Sequence, residues 1–88
     1  MNKIIRDVLS GWIKECHIRD GVAYDYDYGK HVVTIYTNRP GVMIGPRGIT
    51  VYKYERILNK RLKYTNFVWR FSFKEIYGGV VPYVWEDK

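Results

Sequence analysis

The chain has 88 residues, carries a formal net charge of +6, and is 47% apolar, which is enough for one small domain with its own core. Cys16 is the single cysteine, which excludes an internal disulfide and any metal site built from several cysteines. No apolar run reaches the length of a signal peptide or a membrane span. We therefore expect a soluble protein of the reducing cytoplasm.

The excess positive charge lies in one segment of the chain. Residues 1–29 carry four basic and five acidic side chains, whereas residues 30–64 carry eight basic side chains against Glu55 alone. Residues 65–88 carry three of each sign. A one-sided field of this kind attracts a polyanion such as a nucleic acid. A surface that lysines keep soluble is the simpler interpretation, and composition by itself does not separate the two.

The first third of the chain predicts a helix followed by a hairpin. Apolar residues recur at helical spacing over residues 2–16, and they are Ile4, Ile5, Val8, Leu9, Trp12 and Ile13. Residues 22–28 alternate in polarity and residues 31–37 are rich in β-branched side chains, so each stretch predicts a strand, with a turn at Gly29 and Lys30. The side chains of Tyr24, Tyr26 and Tyr28 are compatible with a core face and equally with a partly exposed sheet face.

Residues 39–48, RPGVMIGPRG, interrupt the chain at its midpoint. Pro40 suits the first position of a short helix, and Pro46 ends that helix because it restricts Gly45 to non-helical conformations. Glycines at positions 45 and 48 then predict a very tight loop that leads at once into a longer helix. Such a loop lets the backbone of another molecule approach closely, and the start of the next helix favours phosphate. Arg47 adds a positive charge to the loop.

The remaining pattern predicts a helix near residues 48–63 and a strand over residues 66–74. The apolar residues of the helix are Val51, Tyr54, Ile57, Leu58 and Leu62, and its opposite face carries Lys53, Arg56, Lys60 and Lys63. We interpret that basic face as solvated, except at Lys53, which lies nearest the loop. Alternate positions of the strand are Phe67, Trp69, Phe71 and Phe73. We interpret these aromatic residues as core, rather than as a platform that stacks on bases.

Residues 33–57 resemble the KH domain, most closely the type II version found in the small-subunit ribosomal protein at the mRNA entry. The matching positions are Thr34, Ile35, Thr37, Arg39, Pro40, Gly41, Ile44, Gly45, Gly48 and Val51. The resemblance implies an α+β, type II KH fold of order αββααβ, with a three-stranded sheet and helices packed on one of its faces. It extends weakly over residues 2–77, which predicts one KH-like domain at 1–77 and an apolar tail at 78–88.

The same resemblance implies binding of single-stranded nucleic acid, RNA first and single-stranded DNA as the alternative. KH domains hold about four nucleotides and clamp their backbone on the Gly-x-x-Gly loop. The implied clamp is Gly45, Pro46, Arg47 and Gly48; the implied groove floor includes Val42 and Ile44; the implied phosphate partners are Arg39 and Lys53. Met43 fits either the groove or the core. Pro46 departs from the family pattern, because it removes one backbone donor from the loop.

A second function is compatible with the sequence, namely a KH fold kept as a protein-interaction or assembly module. The weakened clamp at Pro46 and the apolar residues of the tail favour it. The tail is compatible with covering an open sheet face or with pairing two subunits in a homodimer. No spacing of His, Asp, Glu or Cys predicts a metal site, and no nucleophile has a recognisable base. We therefore expect neither catalysis nor a cofactor.

Overall fold

The computed structural model describes residues 1–19 and 21–76. In chain order the helices and strands are α1 (Asn2–Glu15), β1 (Ala23–Asp27), β2 (Val32–Thr37), α2 (Pro40–Ile44), α3 (Ile49–Arg61) and β3 (Arg70–Glu75). Short 3-10 helices at Pro46–Gly48 and Lys63–Thr65 precede and follow α3. The expected tight turn at residues 45–48 is thus present, and with the two 3-10 helices counted the order is longer than αββααβ.

The three strands form one mixed sheet in the order β1-β2-β3. Strand β1 runs antiparallel to β2, and β3 runs parallel to β2. Ile35 pairs with Tyr24 on one side and with Phe73 on the other, so these three side chains share a face of the sheet. The α+β class and the three-stranded sheet are confirmed.

Trp12 of α1 lies at the centre of the core and is completely buried. Its ring stacks on Tyr54 of α3, with 4.9 Å between the ring centroids, and meets the rings of Phe71 and Phe73 edge-on. Its indole N–H donates a hydrogen bond to the carbonyl oxygen of Met43 at 3.0 Å. One side chain of α1 therefore contacts α2, α3 and β3, and it fixes the helix that leads into the glycine loop.

Two side chains of α3 bind the outer edge of β3 and the residue that precedes it. Asn59 accepts a hydrogen bond from the backbone N–H of Trp69 at 2.6 Å and donates one to the carbonyl oxygen of Trp69 at 2.9 Å. Glu55 accepts a hydrogen bond from the N–H of Phe71 at 3.1 Å. Because β3 is the last strand of the sheet, these side chains replace a neighbouring strand there.

The last strand begins later than the sequence predicts, at Arg70 instead of position 66. Asn66 has a φ of 62°, in the left-handed region, which breaks any extended conformation at that point. Phe67 consequently lies in a loop and is 47% exposed, so its assignment to the core is wrong. Trp69 is fully buried, and Phe71 and Phe73 pack against the core as predicted.

The structure also shows which side chains are buried where the sequence allowed two placements. Tyr24 is half-buried against the core, whereas Tyr26 and Tyr28 are exposed, so the three tyrosines do not form one continuous core face. Met43 is completely buried and belongs to the core. The apolar tail at 78–88 lies outside the described residues. Among the helices of the described part of the chain, none combines the length and the apolar character needed to cross a membrane.

Candidate nucleic-acid interface

The loop at residues 45–48 begins where α2 ends. Pro40 occupies the first turn of α2, and the helix stops after five residues at Gly45, whose φ of 78° and ψ of 170° are far from helical values. The N–H of Gly45 donates a hydrogen bond to the carbonyl oxygen of Gly41 at 3.0 Å, and the N–H of Gly48 donates one to the carbonyl oxygen of Gly45 at 3.1 Å. The loop is therefore closed by its own backbone.

Both glycines of the loop are required by conformation, but for partly different reasons. Gly45 and Gly48 have φ values of 78° and 75°, which side chains of L-residues rarely tolerate. A methyl group at Gly45 would also overlap the hydroxyl of Thr50, so this glycine is needed inside the fold. A methyl group at Gly48 would meet only Val51, at 3.8 Å, and the space outside Gly48 is open to another molecule.

Pro46 and Arg47 form the tip of the loop, and both are exposed. Arg47 itself adopts a left-handed conformation, with φ 56° and ψ 22°. An arginine in that conformation costs about 1–2 kcal/mol relative to the right-handed one. A glycine at position 47 would therefore make the fold more stable than the arginine does. Strained residues of this kind are typical of functional loops.

The loop leads directly into the positive end of α3. The N–H of Ile49 bonds the carbonyl oxygen of Pro46, and Gly48 is the N-cap residue. No side chain caps this end of the 13-residue helix, and none of its first residues is acidic. The N–H groups of the first turn and the helix dipole therefore favour an anion beside the loop.

Lys53, a predicted phosphate partner, is engaged in an ion pair. Its ammonium lies 2.6 Å from a carboxylate oxygen of Glu15 on α1, and the hydroxyl of Tyr54 donates to the same oxygen at 2.7 Å. The bond from Lys53, followed by that from Tyr54, holds the pKa of Glu15 below its ordinary value of 4.5. Burial, followed by the bond to Glu15, raises the pKa of Tyr54 to about 12. A phosphate at Lys53 would have to compete with Glu15.

The residues predicted for the groove floor differ in their exposure. Val42 is 47% exposed and Ile44 is half-buried, so both reach the surface beside the loop. The thiol of Cys16 lies 3.6 Å from the carbonyl oxygen of Val42, and burial raises the pKa of that thiol. Arg39 occupies the N-cap position of α2 without a side-chain capping bond, and its backbone N–H donates to the hydroxyl of Thr37 at 3.1 Å.

Two open depressions lie on either side of Tyr52 and Arg56 along α3. The first, of about 580 Å³, separates α3 from the loop before β3, and its walls include Lys63, Phe67 and Arg70. The second, of about 540 Å³, is lined by residues of α3 only. The guanidinium of Arg56 lies 5.9 Å from the ring centre of Tyr52 and makes a cation–π contact. Basic and apolar side chains thus share one continuous surface.

A cluster of four rings, which the sequence did not predict, adjoins the first depression. It consists of Tyr28, His31, Phe67 and Trp69. The rings of His31 and Phe67 are stacked, with 3.8 Å between centroids and 20° between planes. Tyr28 and Trp69 meet them edge-on. The members come from the β1–β2 turn and from the loop before β3, so no periodicity within one segment points to the cluster.

Within residues 1–19 and 21–76, no three side chains of His, Cys, Asp or Glu are grouped as a metal site requires. Comparison with known proteins adds no relative, since no family model, curated protein or solved structure matches this chain.

Proposed function

We propose that this chain is a type II KH domain that binds single-stranded nucleic acid, RNA first, and clamps its backbone on residues 45–48. The single observation that carries the proposal is the loop itself. Two left-handed glycines enclose an exposed proline and a left-handed arginine, immediately before an uncapped helix start. The resemblance to the KH family suggests the fold type and the ligand, and the geometry of the loop provides the groups that would contact a phosphate.

Three further features support the proposal. The order of elements, αββ followed by helices and a last strand, is similar to the order αββααβ that the resemblance implies, with two additional 3-10 helices. The basic side chains of α3, such as Arg56 and Lys60, are exposed along the helix that starts at the loop. Segment 30–64, which contains the loop and α3, carries a net charge of +7, with eight basic side chains against one acidic. A phosphate backbone that follows α3 would therefore meet mainly positive side chains.

Replacement of Pro46 and Arg47 by two aspartates tests the clamp. The double variant changes the charge of the loop by −3, while both positions are exposed and the fold should persist. At about 1 kcal/mol per charge pair in wet surroundings, we expect binding to weaken by about a hundred-fold. Fluorescence anisotropy with a labelled pool of short single-stranded RNA measures the dissociation constant, and circular dichroism checks the fold.

A matched control carries the same change of charge on α1, far along the chain from the loop. Lys3→Glu combined with Ser10→Glu alters two exposed positions and also changes the charge by −3. This control should lose only the small, long-range part of the attraction. Binding of the parent should also fall with salt, with a slope of log K against log salt of about −2 to −3 for about four nucleotides. Equal binding by the folded loop variant and the parent would contradict the clamp.

A protein-interaction module remains the second candidate, and one observation favours it. Ile49, Tyr52 and Ile57 are exposed on the outer side of α3, beside the second depression. Exposed apolar side chains of this kind are common in protein interfaces. A parent chain that binds no oligonucleotide at low salt would favour this function over the first.

We further propose that the protein binds its ligand without catalysing a reaction and that it is located in the cytoplasm. The lone Cys16 suits a reducing compartment, because it has no cysteine in its own chain to pair with. Purification of the chain from cell fractions would test the location. Turnover of a nucleic-acid substrate by the pure protein would contradict the absence of catalysis.

A further inference from the structure

We propose that the stacked pair of His31 and Phe67 is a second nucleic-acid subsite, which stacks on a base beyond the stretch that the loop clamps. The inference rests on the proposed function, because it places a second contact on the same strand. Its occupant is an unpaired base of single-stranded RNA, and the ring faces of aromatic side chains accept every base. The subsite lies at the end of α3 remote from residues 45–48.

The geometry of the rings favours stacking over a purely structural role. Phe67 is 47% exposed although it belongs to a four-ring cluster, and the neighbouring Val68 is 74% exposed. Core packing therefore does not account for either side chain. His31 holds the Phe67 ring at 3.8 Å, and the buried Trp69 supports His31 edge-on at 5.4 Å. An exposed ring with a fixed orientation loses little conformational freedom when a base stacks on it.

The turn before β2 gives the subsite a rigid base. Asp27 accepts a hydrogen bond from the N–H of Lys30 at 3.1 Å, which closes the turn between β1 and β2. His31 follows with a φ of 56°, in the left-handed region that residues with side chains seldom adopt, although histidine does so more often than most. The carbonyl oxygen of His31 then accepts a bond from the N–H of Arg70 at 3.0 Å. His31 is thus anchored to the sheet, and the N–H of Phe67 donates to the hydroxyl of Thr65 at 3.4 Å.

The positive side chains around the subsite favour a nucleic acid as its ligand. The first depression, to which Phe67 belongs, also has Arg56, Lys63 and Arg70 in its walls. The acidic side chain there is Glu55, and its carboxylate already accepts a hydrogen bond from the backbone of β3. A strand that leaves the loop at 45–48 and follows α3 would therefore meet phosphate partners and then an exposed ring. That arrangement is typical of surfaces that bind single strands.

Phe67→Ala tests the subsite when it is combined with oligonucleotides of two lengths. We expect the variant to bind RNA of about twelve nucleotides about five-fold to a hundred-fold more weakly than the parent does, because one stacked base is lost. We expect RNA of about four nucleotides, which occupies the clamp alone, to bind the variant and the parent equally. Anisotropy titrations at one fixed salt concentration measure all four dissociation constants.

Three controls separate stacking from its alternatives. Tyr64→Ala removes a nearby aromatic residue that is more exposed than Phe67, 63% against 47%, and should leave both affinities unchanged. Phe67→Trp should restore the binding of the longer RNA, whereas Phe67→Leu, which keeps an apolar side chain without a ring, should not. Thermal unfolding of each variant confirms that the fold persists, and the leucine variant replaces the alanine variant if the latter does not fold.

The outcomes distinguish this subsite from the clamp. If the Phe67 variants bind the longer RNA as tightly as the parent does, the subsite is wrong, whatever the loop variant does. If the aspartate loop variant binds normally and Phe67→Ala weakens binding, the clamp is wrong and the stacking contact stands. Equal weakening of short and long RNA by Phe67→Ala would also overturn the proposal, because it would indicate a general disturbance of the fold.

Discussion

At the scale of single residues, the backbone conformation of Arg47 lowers stability, whereas its charge favours the proposed function. Its left-handed backbone is unfavourable for a residue with a side chain, and in the proposed clamp its charge is the one that attracts a phosphate. Pro46 beside it has no N–H to donate, so the loop depends more heavily on that charge. The sequence predicted the exposure and the charge of Arg47, and the structure adds that its left-handed backbone costs conformational free energy.

Arg47→Gly should therefore separate stability from binding. Glycine relieves the left-handed strain but makes the unfolded chain more flexible, so we expect a net gain of up to about 1 kcal/mol in the free energy of unfolding. Loss of one phosphate contact should reduce the slope of log K against log salt by about 0.7. Urea unfolding and salt-dependent titrations measure the two effects. Arg47→Lys keeps the charge and the strain, so it should resemble the parent in both.

At the scale of helices and strands, α3 connects the loop to the rest of the fold. Its inner side contributes Leu58 and Tyr54 to the core, and Asn59 binds the backbone of Trp69 at the outer edge of β3. Lys53 ties the helix to α1 through Glu15. Helix α3 therefore has fixed neighbours on two sides, which holds the loop at its start in place.

Glu15→Gln tests the link between α1 and α3 through its pH dependence. Because the folded pKa of Glu15 lies below 4.5, its charged form stabilises the fold above that pH, and the contribution is lost as the pH falls through the lowered pKa. We expect the parent to be more stable than the variant at pH 7 and the difference to shrink as the pH falls below 4.5. Urea unfolding of both chains from pH 3 to pH 7 measures it.

The alkaline side of the same contact gives an independent check. The pKa of Tyr54 is raised from its ordinary value of 10 to about 12. The protonated hydroxyl therefore stabilises the fold fully below pH 10, and this stabilisation is lost as the pH rises from 10 towards 12. The variant should show a weaker dependence there, because its amide oxygen carries no charge to interact with the hydroxyl. A difference between the two chains that does not change with pH would contradict the ionised contact.

At the scale of the whole molecule, the core lies between one face of the sheet and the helices, and the basic surface lies outside it. Trp12 contacts α2, α3 and β3 at once, so one buried side chain links these three elements. The first depression and the loop lie along the same helix, α3. A ligand that contacts both would span a large part of this small domain.

We also propose a homodimer formed through the apolar tail, which is rich in valine and aromatic residues. Deletion of residues 80–88 should convert a dimer into a monomer, because it removes the apolar surface that would pair two subunits. Sedimentation equilibrium over a range of concentrations measures the association. A variant of full length with Val81 and Val84 changed to serine should behave like the truncated chain. A parent that stays monomeric at high concentration would contradict this proposal.

Local chemistry determined much of what the sequence predicted correctly. Prolines and glycines restrict the backbone through their own geometry, so the end of α2 and the turn at residues 45–48 follow from residues 39–48. Periodic apolar residues likewise predicted α1, α3 and the hairpin, because one side of each element must face a core. These features need no knowledge of distant contacts.

Tertiary structure alone decided where particular side chains lie. Met43 is buried in the same core as Trp12, which is 31 residues away in the chain and bonds to the carbonyl oxygen of Met43. Lys53 faces Glu15, and Phe67 stacks on His31, because the fold brings together residues that are far apart in the chain. Periodicity reports which side of an element is apolar, but it does not report which element lies opposite. The proposed clamp therefore rests on residues that adjoin in the sequence, whereas the proposed stacking subsite rests on the contact of Phe67 with His31, which only the folded chain brings about.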